Sequence, residues 1–201
     1  MPSIYDLKPK FQGLLRPLVL ILANNGVTAN QVTLLAMLLS FACGGLIALF
    51  PDQHSLLLSI PVVLFVRMAL NAIDGMLARE HDMKTALGAI LNELGDVFSD
   101  VALYLPLALV PGVHSLWVVL AVILAIITEM TGVVAVQIGA ERKYEGPMGK
   151  SDRAFVFGLM GLLLGLGIAP QPWFDYVMIV VLLLLVITIV HRSKNALSEI
   201  Q

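Results

Sequence analysis

The sequence predicts an all-α integral membrane protein, with six transmembrane helices preceded by a cytoplasmic juxtamembrane amphipathic helix. Three observations predict it. Hydrophobic residues make up 59% of the 201 residues and charged residues 13%, and mean hydropathy is +0.92, far from the norm for soluble domains. Apolar runs of spanning length recur six times between short polar turns. Arginine and lysine gather in alternate loops, as the positive-inside rule requires of a chain threaded through a bilayer. The net charge of −2 by itself says nothing about nucleic acid or acidic partners, so the distribution of the charges is what informs; no nucleic-acid partner is expected, and the lone Cys43 excludes an intramolecular disulfide.

Residues 1–30 read as the juxtamembrane helix and a turn. Ile4, Leu7, Phe11, Leu14, Leu15, Leu18 and Leu22 recur at helical spacing, with Lys8, Gln12 and Arg16 mostly off that face. A short buried helix is the alternative, and Pro9 and Pro17 would bend either one. The run LLRPLVLILA is too short and too interrupted for a signal peptide, so the segment is expected to be retained. Thr28 or Asn30 is placed to cap the next helix.

The membrane domain, 31–191, follows. Spans are expected at about Val32–Phe50, Ser55–Ala78, Thr85–Leu109, Ser115–Ala140, Ala154–Ile168 and Phe174–Val190. The longest polar loop, ERKYEGPMGKSDR, separates the fourth and fifth, and 192–201 reads as a short polar tail. Lys8, Lys10 and Arg16, then Arg79 and Lys84, then Arg142, Lys143, Lys150 and Arg153, then Arg192 and Lys194 all fall on one side, which makes both termini and the even loops cytoplasmic.

Within this apolar chain the stretch Asn71–Asp100, NAIDGMLAREHDMKTALGAILNELGDVFSD, is anomalous. Polar side chains at membrane depth are costly, and a cluster of them marks a functional site by default. Three- and four-residue spacing puts Arg67, Asn71, Asp74 and Ala78 on one helix face, and Thr85, Gly88, Asn92, Asp96 and Ser99 or Asp100 on another, with Glu93 a quarter turn aside. The turn REHDMK joins the two stripes. Gly75, Ala78 and Gly88 leave bare backbone beside the carboxylates. At about 1.5 Å per residue, Asp74 and Asn92 lie roughly 7 to 11 Å below the cytoplasmic turn. Arg67 falls deeper, at the level of Glu129, so a buried ion pair of Arg67 with Glu129 or Asp100 is expected.

Carboxylate and carboxamide oxygens are hard ligands, suited to Mg2+ or Mn2+ and through them to phosphate. Lys150 and Arg153 stand at the same cytoplasmic level, either as a second phosphate or headgroup site or as ordinary positive-inside residues. His54, His81, His114 and His191 show no ligand spacing. Ser99 reads as a helix-packing residue, with no histidine placed to activate it.

The stretch resembles the signature of the CDP-alcohol phosphotransferase family, D-x2-D-G-x2-A-R-x8-G-x3-D-x3-D. Asp74, Gly75, Ala78, Arg79, Gly88 and Asp96 match in type and spacing, while Asn71 and Asn92 stand where the family has its first and third aspartates. The resemblance implies a bacterial inner-membrane enzyme of phospholipid synthesis, divalent-metal dependent and homodimeric. Such an enzyme transfers a substituted phosphate from a CDP-alcohol lipid, such as CDP-diacylglycerol, to a small alcohol or lipid acceptor and releases CMP. It further implies Asp74, Asn71, Asn92 and Asp96 around the metal, and Asp96 as the base on the acceptor hydroxyl. Gly75, Ala78, Arg79 and Gly88 would lie around the nucleotide and its phosphates. Glu93 and Asp100 are possible substitutes for the missing charge, and Lys150 and Arg153 possible acceptor or phosphate contacts. The runner-up reading is a catalytically impaired member that binds CDP-lipid or a membrane partner. A transporter using Asp96, Asp100 and Glu129 as an ion relay is disfavoured, because no span is broken by Gly or Pro in repeated positions.

Overall fold

The computed structural model describes residues 4–200, and side chains from residue 10 onward. Among these residues every regular element is helical. In chain order they are α1 (Ile4–Asn24), α2 (Ala29–Leu49), α3 (His54–Leu57), α4 (Ser59–Glu80), α5 (Ala86–Tyr104), a 3-10 turn (Leu105–Leu109), α6 (Ser115–Gln137), α7 (Lys150–Gly165) and α8 (Trp173–Glu199). Four stretches are long and apolar enough to cross a membrane: Ala29–Leu49, His54–Glu80, Ser115–Gln137 and Trp173–Glu199. The chain is an integral membrane protein. The other two expected spans fall on α5 and α7, of 19 and 16 residues.

Element ends follow local chemistry. Thr28 caps α2 in a reciprocal box: its hydroxyl accepts the Gln31 amide at 3.3 Å, and its own amide donates to Gln31 Oε1 at 2.9 Å. The second expected span is broken at Leu58, because Pro61 has no amide to donate back to Leu57. The third ends as α-helix at Tyr104 rather than Leu109, since Pro106 disfavours helical backbone at Leu105 and the chain tightens into the 3-10 turn. Gly139, at φ 93°, stops α6 three residues before the expected Ala140, and the Ala140 amide turns back to Ala135 O at 3.1 Å. Helix α7 starts four residues before Ala154, because Asp152 Oδ2 accepts the Gly149 amide at 2.9 Å and caps the turn. The polar tail is not a tail up to Glu199: α8 continues through it, with Arg192 and Ala196 buried.

The chain divides into two compact units. The first, Met1–Ala42 with Val63–Ser99, holds most of α1, α2, α4 and α5. Its core gathers Val19, Ala29, Val32, Ile73, Met76 and Leu77, so α1 seats Val19 against α4, with Leu15 and Leu22 packed beside it. Leu14, Leu18 and Ile21 of α1 remain exposed. The expected single stripe is therefore split between an inward face and an outward one; Ile4 and Leu7 of that stripe, and Lys8 beside it, lie outside the described side chains. Arg16 pairs with Glu80 at 3.0 Å.

The second unit, Cys43–Val62 with Asp100–Gln201, is built on the packing of α6 along α8 and of α3 on α7. Tyr104 stacks on Phe157 with ring centroids 4.0 Å apart.

Candidate functional site

The first unit brings the polar stripes of α4 and α5 together. They are joined by residues 81–85, where Asp82 takes a left-handed turn at φ 54°, a conformation Asp tolerates better than most side chains. Thr85 then starts α5, its hydroxyl accepting the Gly88 amide at 2.9 Å. On α4 the spacing 67, 71, 74 presents Arg67, Asn71 and Asp74 on one face. Asn71 Nδ2 donates to Asp96 Oδ1 at 3.1 Å. Arg67, 3% exposed, donates from Nη2 to the Asp96 carbonyl at 3.3 Å and lies 3.7 Å from Asp96 Oδ1. At such a separation the attraction is about 4 kcal/mol for an effective dielectric near 20, before desolvation is set against it.

Asp74 is buried, and Thr33 of α2 engages it at 2.7 Å from Oγ1 to Oδ2. That hydroxyl also lies 3.1 Å from the Ala29 carbonyl, but it has one proton, and the shorter, charge-assisted bond takes it. Two other residues on the same face of α2 complete the support. Asn30 Nδ2 donates to Thr85 Oγ1 at 3.4 Å, and Met37 packs where a Cβ on Gly95 would lie 2.8 Å from its sulfur. Helix α2 thus holds both motif helices. Thr33 was not singled out in the sequence, although a polar pair, Asn30 and Thr33, entering an apolar span at the depth of the motif was the available signal.

The small residues have specific neighbours. A Cβ on Gly88 would fall 2.6 Å from Asn30 Oδ1, so Gly88 makes room for α2. A Cβ on Gly75 would fall 3.1 Å from Arg79 Nη1, so the Arg79 guanidinium folds over Gly75 and takes the space expected for a ligand. Arg79 is exposed and has no hydrogen-bond or ion-pair partner among the described residues. Ala78 is half-buried against the apolar core of this unit. Asn92 is exposed, and Glu93 beside it is half-buried.

The second unit contains the remaining singled-out charges. Arg153, 1% exposed, spends all five of its donors: Nε and Nη2 on Asp100 Oδ2 at 3.3 and 3.0 Å, Nη2 also on Glu129 Oε1 at 2.9 Å, and Nη1 on Thr128 Oγ1 and the Met148 carbonyl. Glu129 also meets Arg142 at 3.0 Å and Arg192 at 3.5 Å. Arg67 meets Asp96, a partner the expectation did not name, and Glu129 meets three arginines. Asp100 Oδ2 accepts from Arg153. Lys150 opens α7 and is half-buried.

The loop between α6 and α7 is tied to α8. Arg192 donates to the Tyr144 and Glu145 carbonyls at 2.9 and 3.0 Å, Asn195 to Glu145 Oε1 at 2.9 Å, and Lys143 pairs with Glu199. Partial burial pushes the Glu145 carboxyl up, but the Asn195 carboxamide, the Glu145 and Tyr144 amides and the Lys143 charge outweigh it and leave it below the ordinary carboxylate range.

A buried and a half-buried carboxylate, Asp74 and Asp96, on facing helices of a membrane-embedded chain define an integral membrane protein with a polar intramembrane centre. Its sequence matches the model of the CDP-alcohol phosphatidyltransferase family over residues 26–192, and the chain belongs to that family. It is 46% identical over 195 residues to the inner membrane protein YnbA of Escherichia coli K12, covering 97% of this chain and 96% of that one. Over 108 residues, 54% of this chain and 50% of the other, it is 36% identical to an uncharacterized protein of Aquifex aeolicus VF5. The fold is similar to that of phosphatidylinositol phosphate synthase from Mycobacterium tuberculosis. The structure of that enzyme with manganese and citrate gives a TM-score of 0.72 at 21% identity, covering 90% of this chain and 88% of that one. Its structure with CDP-DAG bound gives 0.68 at 22% identity, covering 92% of each.

Proposed function

We propose that this protein transfers a substituted phosphate, the phosphatidyl group of CDP-diacylglycerol, to an acceptor alcohol and releases CMP, using a divalent cation. The observation that carries the reading is the pairing of the two motif stripes in one unit, with the Asp96 carboxylate drawn to Asn71 and Arg67, inside a family match that spans most of the chain. The donor set fits a divalent ion: Asp74, Asp96, Asn71 and Asn92 offer only hard oxygens. It is also lean, since no three His, Cys, Asp or Glu side chains among the described residues gather to hold a metal.

When bound, the ion neutralises pyrophosphate oxygens and supplies Lewis-acid stabilisation. Asp74 is held in place by Thr33, and Asp96 by Asn71 and Arg67. Asp96 accepts the proton of the acceptor hydroxyl; the acceptor oxygen forms its bond to the phosphorus bearing the lipid, the bond from that phosphorus to the bridging oxygen breaks, and CMP leaves with the electron pair. Arg79, exposed over Gly75, meets the phosphates, and Gly88 keeps α2 close to α5. Lys150, at the start of the helix that the saturated Arg153 fixes, offers an ammonium to a phosphate. Such chemistry runs on positioning and electrostatics, so no protein nucleophile is required.

The same reading has α5 and α7 cross the bilayer as third and fifth spans and α1 lie in the interface, its exposed Leu14, Leu18 and Ile21 toward lipid. Both termini and the motif face the cytoplasm, the membrane is a bacterial inner membrane, as the name of the E. coli relative suggests, and the protein is a homodimer. A second reading, a CDP-lipid binding protein without turnover, is favoured by Asn71 and Asn92 alone. CMP release from CDP-diacylglycerol, with a panel of alcohols and Asp96→Asn as control, tests the two. Metal-dependent release that needs an acceptor and is lost in the variant supports the transferase. Nucleotide-lipid binding with no release under any acceptor supports the binding protein.

A further inference from the structure

We infer that Arg67 and Asn71 together do at Asp96 what a second cation would do, so that the site takes a single divalent ion per chain. This rests on the metal-dependent transfer proposed above and specifies its metal count.

The argument starts from one oxygen. Asp96 Oδ1 receives the Asn71 amide at 3.1 Å, and Arg67 Nη2 stands 3.7 Å away from it. An aspartate at position 71 with the same side-chain path would bring two carboxylate oxygens about 3 Å apart, a contact that only a proton or a cation between them relieves. With asparagine the same contact is a hydrogen bond, and the need for that cation is gone. Arg67 sits one helical turn before Asn71 on the same face of α4 and is almost fully buried, and a guanidinium keeps its charge in any such setting. The face that lacks a carboxylate at 71 thus carries a permanent cation next to it.

Arg67, Asp74 and Asp96 together carry one net negative charge. Arg67 thus halves the negative charge that Asp74 and Asp96 offer to cations, and a second ion is held more weakly for it, a few ångströms from a buried guanidinium. The lean donor set agrees, since no three His, Cys, Asp or Glu side chains among the described residues gather to hold a metal.

Counting bound Mn2+ decides it. The full chain, purified in detergent with CDP-diacylglycerol, is titrated with Mn2+ while free ion is followed by electron paramagnetic resonance. About one manganese per chain is expected for the wild type, with no spin-coupled pair. A second is expected in the double variant Arg67→Met with Asn71→Asp, checked as folded by its elution and circular dichroism. Two ions in the wild type overturn the inference, as does a folded double variant that still binds one. If the double variant does not fold, the wild-type count stands as the test. No manganese at all would remove the metal-dependent transfer as well, which separates the failure of that reading from the failure of this one.

Discussion

The two units of this chain place arginines against carboxylates in opposite ways. In the second unit the buried charges around Glu129 are saturated. All five donors of Arg153 are used, Glu129 faces three guanidiniums, and the arginines 153 and 192 are each 1% exposed. In the first unit Asp96 keeps 24% of its side chain open beside Arg67, and Arg79 lies exposed over Gly75 without a partner among the described residues. Saturated charge holds helices and a loop together. Charge left partly open is what a pyrophosphate and its cation can use. The comparison sets the buried, saturated arginines 153 and 192 apart from the exposed Arg79.

The largest effect that would sharpen this contrast is at Asp96. Asp96→Asn should lower CMP release by about 10²- to 10⁴-fold, the usual worth of a positioned base. It should shift thermal unfolding in detergent less than Arg153→Met does, because a carboxamide there still accepts from Asn71 and the backbone carbonyl still receives Arg67. A variant that unfolds early would move Asp96 to the structural side. Arg153→Met should do the reverse, costing about 3–5 kcal/mol because Glu129 and Asp100 lose a buried partner. Its readout is the unfolding midpoint of the purified protein, and an unchanged midpoint would break the distinction. A smaller effect is expected for Thr33→Val, which removes a hydrogen bond to a buried carboxylate worth about 1.5–3 kcal/mol. Mn2+ affinity should weaken with it and return in Thr33→Ser, whereas a merely packed threonine would show neither change.

The smallest effect concerns the loop between α6 and α7. The folded Glu145 carboxyl ionises below its ordinary range, so it contributes stability above its unfolded pKa, and that contribution is lost as pH falls through the lower folded value. Amide exchange in residues 141–149, corrected for intrinsic rates, should therefore stay slow through the neutral range and accelerate only in acid below the usual carboxylate titration. Acceleration beginning near neutrality would mean that a group other than Glu145 controls the loop.

Much of this was legible in the chain. Span positions followed from apolar run length, which is a local property, and α2 came within three residues of expectation at its start and one at its end. The motif stripes were legible because helical spacing alone puts residues 67, 71 and 74 on one face. The break at Leu58 and the early end of α5 had their prolines in view, yet the apolar run concealed them. The extension of α8 to Glu199 was not legible, since the residues after Val190 are polar and become helical only because Arg192, Asn195 and Glu199 find partners in a distant loop.

By itself, then, the sequence determined an apolar helical chain with a polar intramembrane motif, because hydropathy and helical period depend on neighbours in sequence. Only the tertiary structure decided which arginine meets which carboxylate, that α2 supports the motif through Thr33 and Asn30, and that the space beside Gly75 holds Arg79. Those choices depend on which helix face meets which. Arg67 and Glu129, similar in depth and opposite in sign, were plausible partners by depth and charge alone, yet the structure pairs Arg67 with Asp96 and surrounds Glu129 with arginines.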